Sequence, residues 1–382
     1  MRKLLALSLG ALGVGDFKRA GERRARPRPQ KTREPRRRRL DGLGHNGSPY
    51  CSALQCKNRR LSLTYYVRET QGLDQQVQIW EITDDEAICL LPTRGSLLHY
   101  RRESGETIWD AIHRQGGWGR PDAHELKVAP GSYFPRIARP MIPTPPSFAK
   151  QRGWQPSRAD NENAIASAKV QFSTLMRQLE RICETVHPEK TNLEAYGYDI
   201  RNLLILACTE VESHWSAVLK ANGSSGGRWT TRDYVGLKDA MKLNEFAISF
   251  PDYPWIKPVA PFKNWDEENA TRTLPWYDAY NAAKHDRESK LKRASLRFAF
   301  DAVAACVIMI VAQFGEVFGF DQRTSGSPRR FFWVRSGPDW GLADCYAEIL
   351  ESGNSKWTPV NYPLPSLRRP RAMRSPPLPS QP

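Results

Sequence analysis

The residues best placed to do chemistry lie in the stretch YNAAKHDRES, residues 280 to 289. Asn281 and His285 are four apart, so on a helix they share a face, and Lys284, Asp286 and Arg287 crowd the same turn. Imidazole is the side chain that exchanges a proton near neutral pH, and a cation beside it can hold a phosphate. Cleavage of RNA by its own 2'-hydroxyl needs those two things: a base for the hydroxyl and a positive charge for the phosphate. The stretch contains both. It also contains a quieter reading, because Lys284, Asp286, Arg287 and Glu288 at a helix C-terminus can neutralise one another and the helix dipole with no substrate present.

A second pair, Glu210 and His214, has the same four-residue spacing along one edge of an apolar stripe formed by Ile200, Leu204, Ala207, Val211, Trp215 and Val218. Glu-x-x-x-His binds a metal only when other ligands join it. Asn281 is a poor ligand, and no Cys or Asp cluster completes a set, so neither a metal nor another cofactor is expected. The expected role of the pair is a Glu-His hydrogen bond that fixes helix packing. Both pairs border the same core, which predicts that Glu210 and His214 lie near residues 280 to 287. No glycine-rich loop follows a strand, no G-x-S-x-G occurs, and NGSSGG at 222 to 227 lacks the lysine of a phosphate loop. Hydride transfer, P-loop phosphoryl transfer and serine hydrolysis are therefore unsupported.

These residues must be positioned by helices. Runs without internal proline cover 161 to 186, 194 to 221, 232 to 248, 274 to 287 and 294 to 319. In the last, Leu296, Phe300, Val303, Val307, Ile310, Phe314 and Val317 recur at alternating spacings of four and three, the seam of a helix surrounded by others, with Ser295 as its N-cap. The fold class expected is mainly α: a helical bundle of about five helices at 159 to 320. Before it, residues 49 to 128 alternate in LSLTYYVR, VQIWEI and AICLL, the period of strands, and form a small mixed module. Residues 129 to 158 are dense in proline and read as a linker or extended wrap, and 321 to 363 as extended segments laid over the bundle.

Charge is unevenly distributed. The chain carries a formal +16, but residues 1 to 48 hold 14 Lys and Arg against 4 Asp and Glu, and residues 364 to 382 add four arginines and no acid. The body between them is left with +2. Both arms are poor in core-forming residues and read as disordered. Arg-rich arms bind nucleic acid through counterion release, and they also serve as plain solvated tails. The first 17 residues pair a basic start with a short apolar run but lack a convincing cleavage site. The apolar run from Ala302 to Phe314 is 13 residues long, short of the ~20 a membrane span needs, so no membrane is expected. Seven scattered cysteines without metal spacing suit a reducing cytosol.

The order RNLLILACTEVESHW, then YPWIKPVAPFKNW, then LPWYDAYNAAKHDRESKLKRASLRFAFDAVAA resembles uncharacterised bacterial proteins whose helical part is similar to the HEPN superfamily, the higher eukaryotes and prokaryotes nucleotide-binding proteins. It covers roughly 160 to 320. The resemblance implies a bundle that often dimerises and, in active members, a metal-independent ribonuclease with an Arg, a polar residue after it, and a His four to six residues on. Carried over, His285 matches the histidine and Asn281 the polar residue, while Tyr280 stands where the arginine belongs. Lys284 or Arg287 is then the source of positive charge, with Glu210, His214 and Asp286 in support. The expected function is RNA binding or cleavage by a cytoplasmic homodimer, in defence or toxin-antitoxin biology. The alternatives are a non-catalytic helical interaction module and nucleic-acid binding through the arms alone.

Overall fold

A computed structural model describes residues 63–70, 77–90, 98–142, 155–225, 228–316, 332–351 and 354–364. Both basic arms, with Cys51 and Cys56, lie outside the described residues. Those described belong to one unit within Arg60–Pro382.

Alternating residues in TYYVRE and VQIWEI make β1 (Thr64–Glu69) and β2 (Val77–Ile82), paired antiparallel with Tyr66 opposite Trp80. β3 (Glu86–Cys89) and β4 (His99–Arg101) extend the sheet on one side. The capped helix α1 (Ile108–Gly116) follows, with the Thr107 hydroxyl accepting from the Asp110 backbone, and β5 (His124–Glu125) returns to the other side of β1. The strand order is β4-β3-β2-β1-β5. Because side chains alternate along a strand, Tyr66, Trp80 and Ile82 pack on Ile108, Ala111 and Ile112 of α1, while Val67 and Ile79 face the other way.

That second face is covered by Cys345 and Ala347, from the far end of the chain. The same alternation turns Tyr346 between them into the helical core, where its hydroxyl donates to the Ile137 carbonyl at 2.7 Å. Residues 129 to 142 complete the junction: they contain β6 (Ser132–Tyr133) and place Tyr133, Phe134 and Ile137 in the helical core. This stretch is the extended wrap that its prolines allow, and it is packed along its described length.

The helical part begins with α2 (Glu162–Thr185) and α3 (Tyr198–Ala221). Residues 232 to 248, expected as one helix, divide into α4 (Thr231–Tyr234), α5 (Gly236–Ala240) and strand β7 (Ala247–Ser249). The break falls at Lys242, whose φ of 48° no helix accommodates. A continuous helix would also spread Leu243, Phe246 and Ile248 round its circumference, whereas the folded chain buries all three. Pro275, at the first position where its missing N–H does no harm, opens α6 (Pro275–His285), which α7 (Arg287–Lys290) follows.

The centre is α8 (Leu296–Phe314), packed against α2, α3 and α6. Its seam residues Leu296, Phe300, Val303, Val307, Ile310 and Phe314 are each at most 1% exposed. Burial stabilises by ~1.5 to 3 kcal/mol for each side chain of this size, so the seam is a substantial part of the hydrophobic driving force. Among the described residues α8 alone is long and apolar enough to cross a membrane, and 78% of it is buried within the fold. Cys183, Cys208 and Cys306 are unbridged and buried in these helices. β8 (Trp333–Ser336) pairs with β7, the hairpin of β9 (Ile349–Glu351) and β10 (Asn354–Lys356) follows, and β11 (Thr358–Pro359) runs parallel to β6. The fold is thus mainly α with small sheets.

Candidate functional site

Helix α3 meets two polar groups of residues, one on each side. On the first side it runs antiparallel to α6. Near its start, Arg201 Nε donates to the Ala283 carbonyl at 3.1 Å, and about three turns on, the Tyr277 hydroxyl donates to Glu212. Between these contacts Lys284 Nζ donates to the Tyr280 hydroxyl at 2.8 Å and lies 5.0 Å from the centre of the same ring. Tyr280 is 1% exposed and packs on Tyr277, with ring centres 5.3 Å apart. Burial, then Glu212, pushes the Tyr277 phenol far above its ordinary range, so it stays a donor. The hydrogen bond from Lys284 to Tyr280 raises the lysine's pKa, so it stays a cation.

His285 is the last residue of α6 and is exposed, with Asn281 half-buried one turn before it. Among the described residues neither side chain makes a hydrogen bond. Asp286 caps α7: its carboxylate accepts from the Ser289 backbone N–H at 3.1 Å and from the Ser289 hydroxyl. These bonds, the hydroxyl's first, hold its pKa below the usual carboxylate range. Asp286 is therefore a structural cap, and Asp286→Ala is expected to cost ~1 kcal/mol of stability, read as a lower denaturation midpoint, with the chemistry at His285 untouched. Arg287 opens α7.

Glu210 and His214 lie on the other side. They sit two residues either way from Glu212, roughly 200° round the helix, so the face that meets α6 excludes them. His214 is buried, and Gln313 of α8 donates from Nε2 to its Nδ1 at 2.9 Å. The Gln313 amide is oriented by its own bonds: Nε2 also donates to the Met309 carbonyl, and Oε1 accepts from the Arg136 guanidinium at 3.4 Å. Nδ1 must then be the lone-pair nitrogen, which leaves the proton on Nε2, 3.5 Å from Glu210 Oε1. Arg136 Nε donates to Asn161 Oδ1 at 3.0 Å, and its backbone is held at φ 56°, a conformation that costs a non-glycine residue energy.

Burial, then Arg136, pushes the His214 pKa down to about 4, and burial raises that of Glu210. His214 is thus neutral at neutral pH with its basic nitrogen occupied, and it cannot serve as a base. The pair joins α3 to α8 and to the wrap at residue 136. The expectation that Glu210 and His214 lie beside residues 280 to 287 is not met, and a composite Glu-His-Asn-His site does not form. Among the described residues no three His, Cys, Asp or Glu side chains converge on a common point.

No family model, curated protein or solved structure matches this chain. What the site can do therefore follows from its own groups: an exposed imidazole at a helix end, one lysine tied to a phenol, and one arginine tied to a backbone carbonyl. Arg201 is the cation at this end of α6 that sequence reasoning missed. It carries no local signal, because its partner is 82 residues away. Glu212 and Tyr277 were missed for the same reason, with 65 residues between them, as were Arg136 and Gln313, 177 residues apart. The short spacing between Glu210 and His214 drew attention to the wrong face of the same helix.

Proposed function

We propose that this chain is a HEPN-like protein that binds and cleaves RNA without a metal, using His285 as the base. The observation that carries the proposal is the exposed His285 at the end of α6, unengaged among the described residues, with Arg201 holding the carbonyl two residues before it. The step balances. The proton of a ribose 2'-hydroxyl passes to the imidazole, the 2'-oxygen bonds to the adjacent phosphorus, and the bond from phosphorus to the 5'-oxygen breaks. That oxygen takes a proton from water, leaving a 2',3'-cyclic phosphate and a 5'-hydroxyl. Lys284 and Arg201 are the cations available for the charge that develops on the phosphate. A homodimer in the cytoplasm belongs to the same proposal by analogy with the family.

A second reading is a non-catalytic interaction module. It is favoured by Tyr280, which is buried where the family's arginine is expected and so offers no cation to solvent. The test is incubation of the purified full-length protein with single-stranded and hairpin RNA in excess chelator, followed by end-group analysis. Cyclic phosphate ends are expected. RNA left intact with and without divalent metal would remove the nuclease and leave the module.

A further inference from the structure

Next to His285 the fold holds a surface that a helix end has no structural need for. We propose that Tyr196, Tyr198 and Arg201 form a platform for single-stranded RNA that leads to His285, with Arg201 supplying the phosphate-binding cation absent at position 280. The inference rests on the RNA reading above and specifies its substrate. Tyr196 and Tyr198 are 57% and 64% exposed, although tyrosine normally buries its ring and keeps only the hydroxyl wet. Between them Gly197 is fully extended, at φ 177° and ψ 176°. An extended backbone carries residues i and i+2 on one side roughly 7 Å apart, the gap that one stacked base fills. A Cβ placed on Gly197, which alternation turns to the opposite side from the two rings, would meet nothing within 4 Å, so the segment stands clear of the fold on that side as well.

The platform is rigid on both sides. Ala195 accepts the Leu296 backbone N–H at 2.9 Å and Tyr196 forms a bridge with Ser295, which fastens the strand-like segment to the start of α8. Tyr198 opens α3, and Arg201, one turn later on the same face, reaches the Ala283 carbonyl at the end of α6. A continuous path of backbone and one hydrogen bond therefore joins the two exposed rings to the turn that carries His285.

The charge is complementary to a phosphate backbone. Residues 187 to 201 and 281 to 297 together hold eight Lys and Arg against five Asp and Glu, more net positive charge than the whole of 49 to 363. Ion pairs occupy Arg293 with Asp278 and Arg297 with Glu194, whereas among the described residues Arg201 donates to neutral acceptors, the Ala283 carbonyl and the Asn202 amide oxygen. The occupant is single-stranded because bases in a duplex are already stacked and paired, and cannot enter a gap between two rings without breaking that order.

The test must separate this surface from the basic arms, which hold phosphates without stacking on bases. A single-stranded RNA bearing 2-aminopurine reports stacking directly by loss of fluorescence. Full-length protein is expected to quench it, and to leave the same sequence in a duplex unquenched. Tyr196→Ala with Tyr198→Ala should abolish the quench and weaken binding about 10- to 100-fold, while Tyr198→Trp retains both. Arg201→Ala should weaken binding and lower the salt dependence by about one phosphate, with Arg201→Lys restoring the charge. Absence of a quench by the wild type, or wild-type quench and affinity in the double variant, would overturn the platform. RNA cleavage by a protein whose tyrosine variants bind as the wild type does would leave the nuclease and remove the platform. A quench lost with the tyrosines, in a protein that never cleaves, would do the reverse.

Discussion

His285→Ala is expected to lower RNA cleavage by about 10²- to 10⁴-fold and leave the melting temperature unchanged. The imidazole is exposed and makes no hydrogen bond among the described residues, so its removal empties no cavity and orphans no partner. A structural histidine would behave the other way, with a lower midpoint and no activity to lose. The two outcomes are read from one preparation by end-point cleavage and thermal melting.

Placing an arginine at position 280, by contrast, is not expected to raise the rate. Tyr280 is enclosed between Tyr277 and Lys284, and Tyr280→Arg would bury a guanidinium beside an ammonium, at a cost of about 3 to 5 kcal/mol. A stable, faster Tyr280→Arg variant would show that position 280 faces the substrate and would displace Arg201 from its role.

Gln313→Leu is expected to destabilise the protein by ~2 to 4 kcal/mol, read from the denaturant midpoint at constant slope. Leucine fills a similar volume but withdraws the hydrogen bonds to His214, which is buried, and to Arg136, which is half-buried. The same cluster predicts a pH dependence with a definite sign. His214 takes up a proton near 6.5 when unfolded but only near about 4 when folded, because burial and Arg136 oppose its charge. The unfolded state binds more protons in that window, so stability falls as the pH is lowered through it, by at most ~3 kcal/mol.

Half-buried Asp301 on α8 acts in the opposite sense. Burial pushes its pKa up to about 7 from 3.8, so the folded state holds the extra proton, and stability rises as the pH is lowered through that range. His214→Gln should therefore lose less stability between pH 7 and pH 4.5 than the wild type, and Asp301→Asn should lose more. Equal acid sensitivity of His214→Gln and the wild type would mean that His214 is not held neutral in the fold.

The sequence alone was sufficient wherever local pattern and burial agree. Apolar residues at alternating spacings of four and three required a helix surrounded on all sides, and α8 is that helix over Leu296–Phe314, with Val317 outside the described residues. Two-residue alternation required the strands β1 and β2, and FFWVR the extended β8. A charged helix end was legible as one of two readings of YNAAKHDRES, whereas the exposure of His285 and the cap that Asp286 makes to Ser289 came only with the structure.

Only the tertiary structure decided which side of α3 each polar residue meets. Glu210, Glu212 and His214 are near neighbours in the chain, yet Glu212 bonds to Tyr277 while His214 bonds to Gln313, 99 residues away, on the opposite side. Helical periodicity says that a residue borders the core, and nothing in it says which helix lies across the border. The bond from Arg201 of α3 to the end of α6 and the split of residues 232 to 248 share that cause. Both depend on partners distant in sequence, whose positions exist only once the helices have packed around α8.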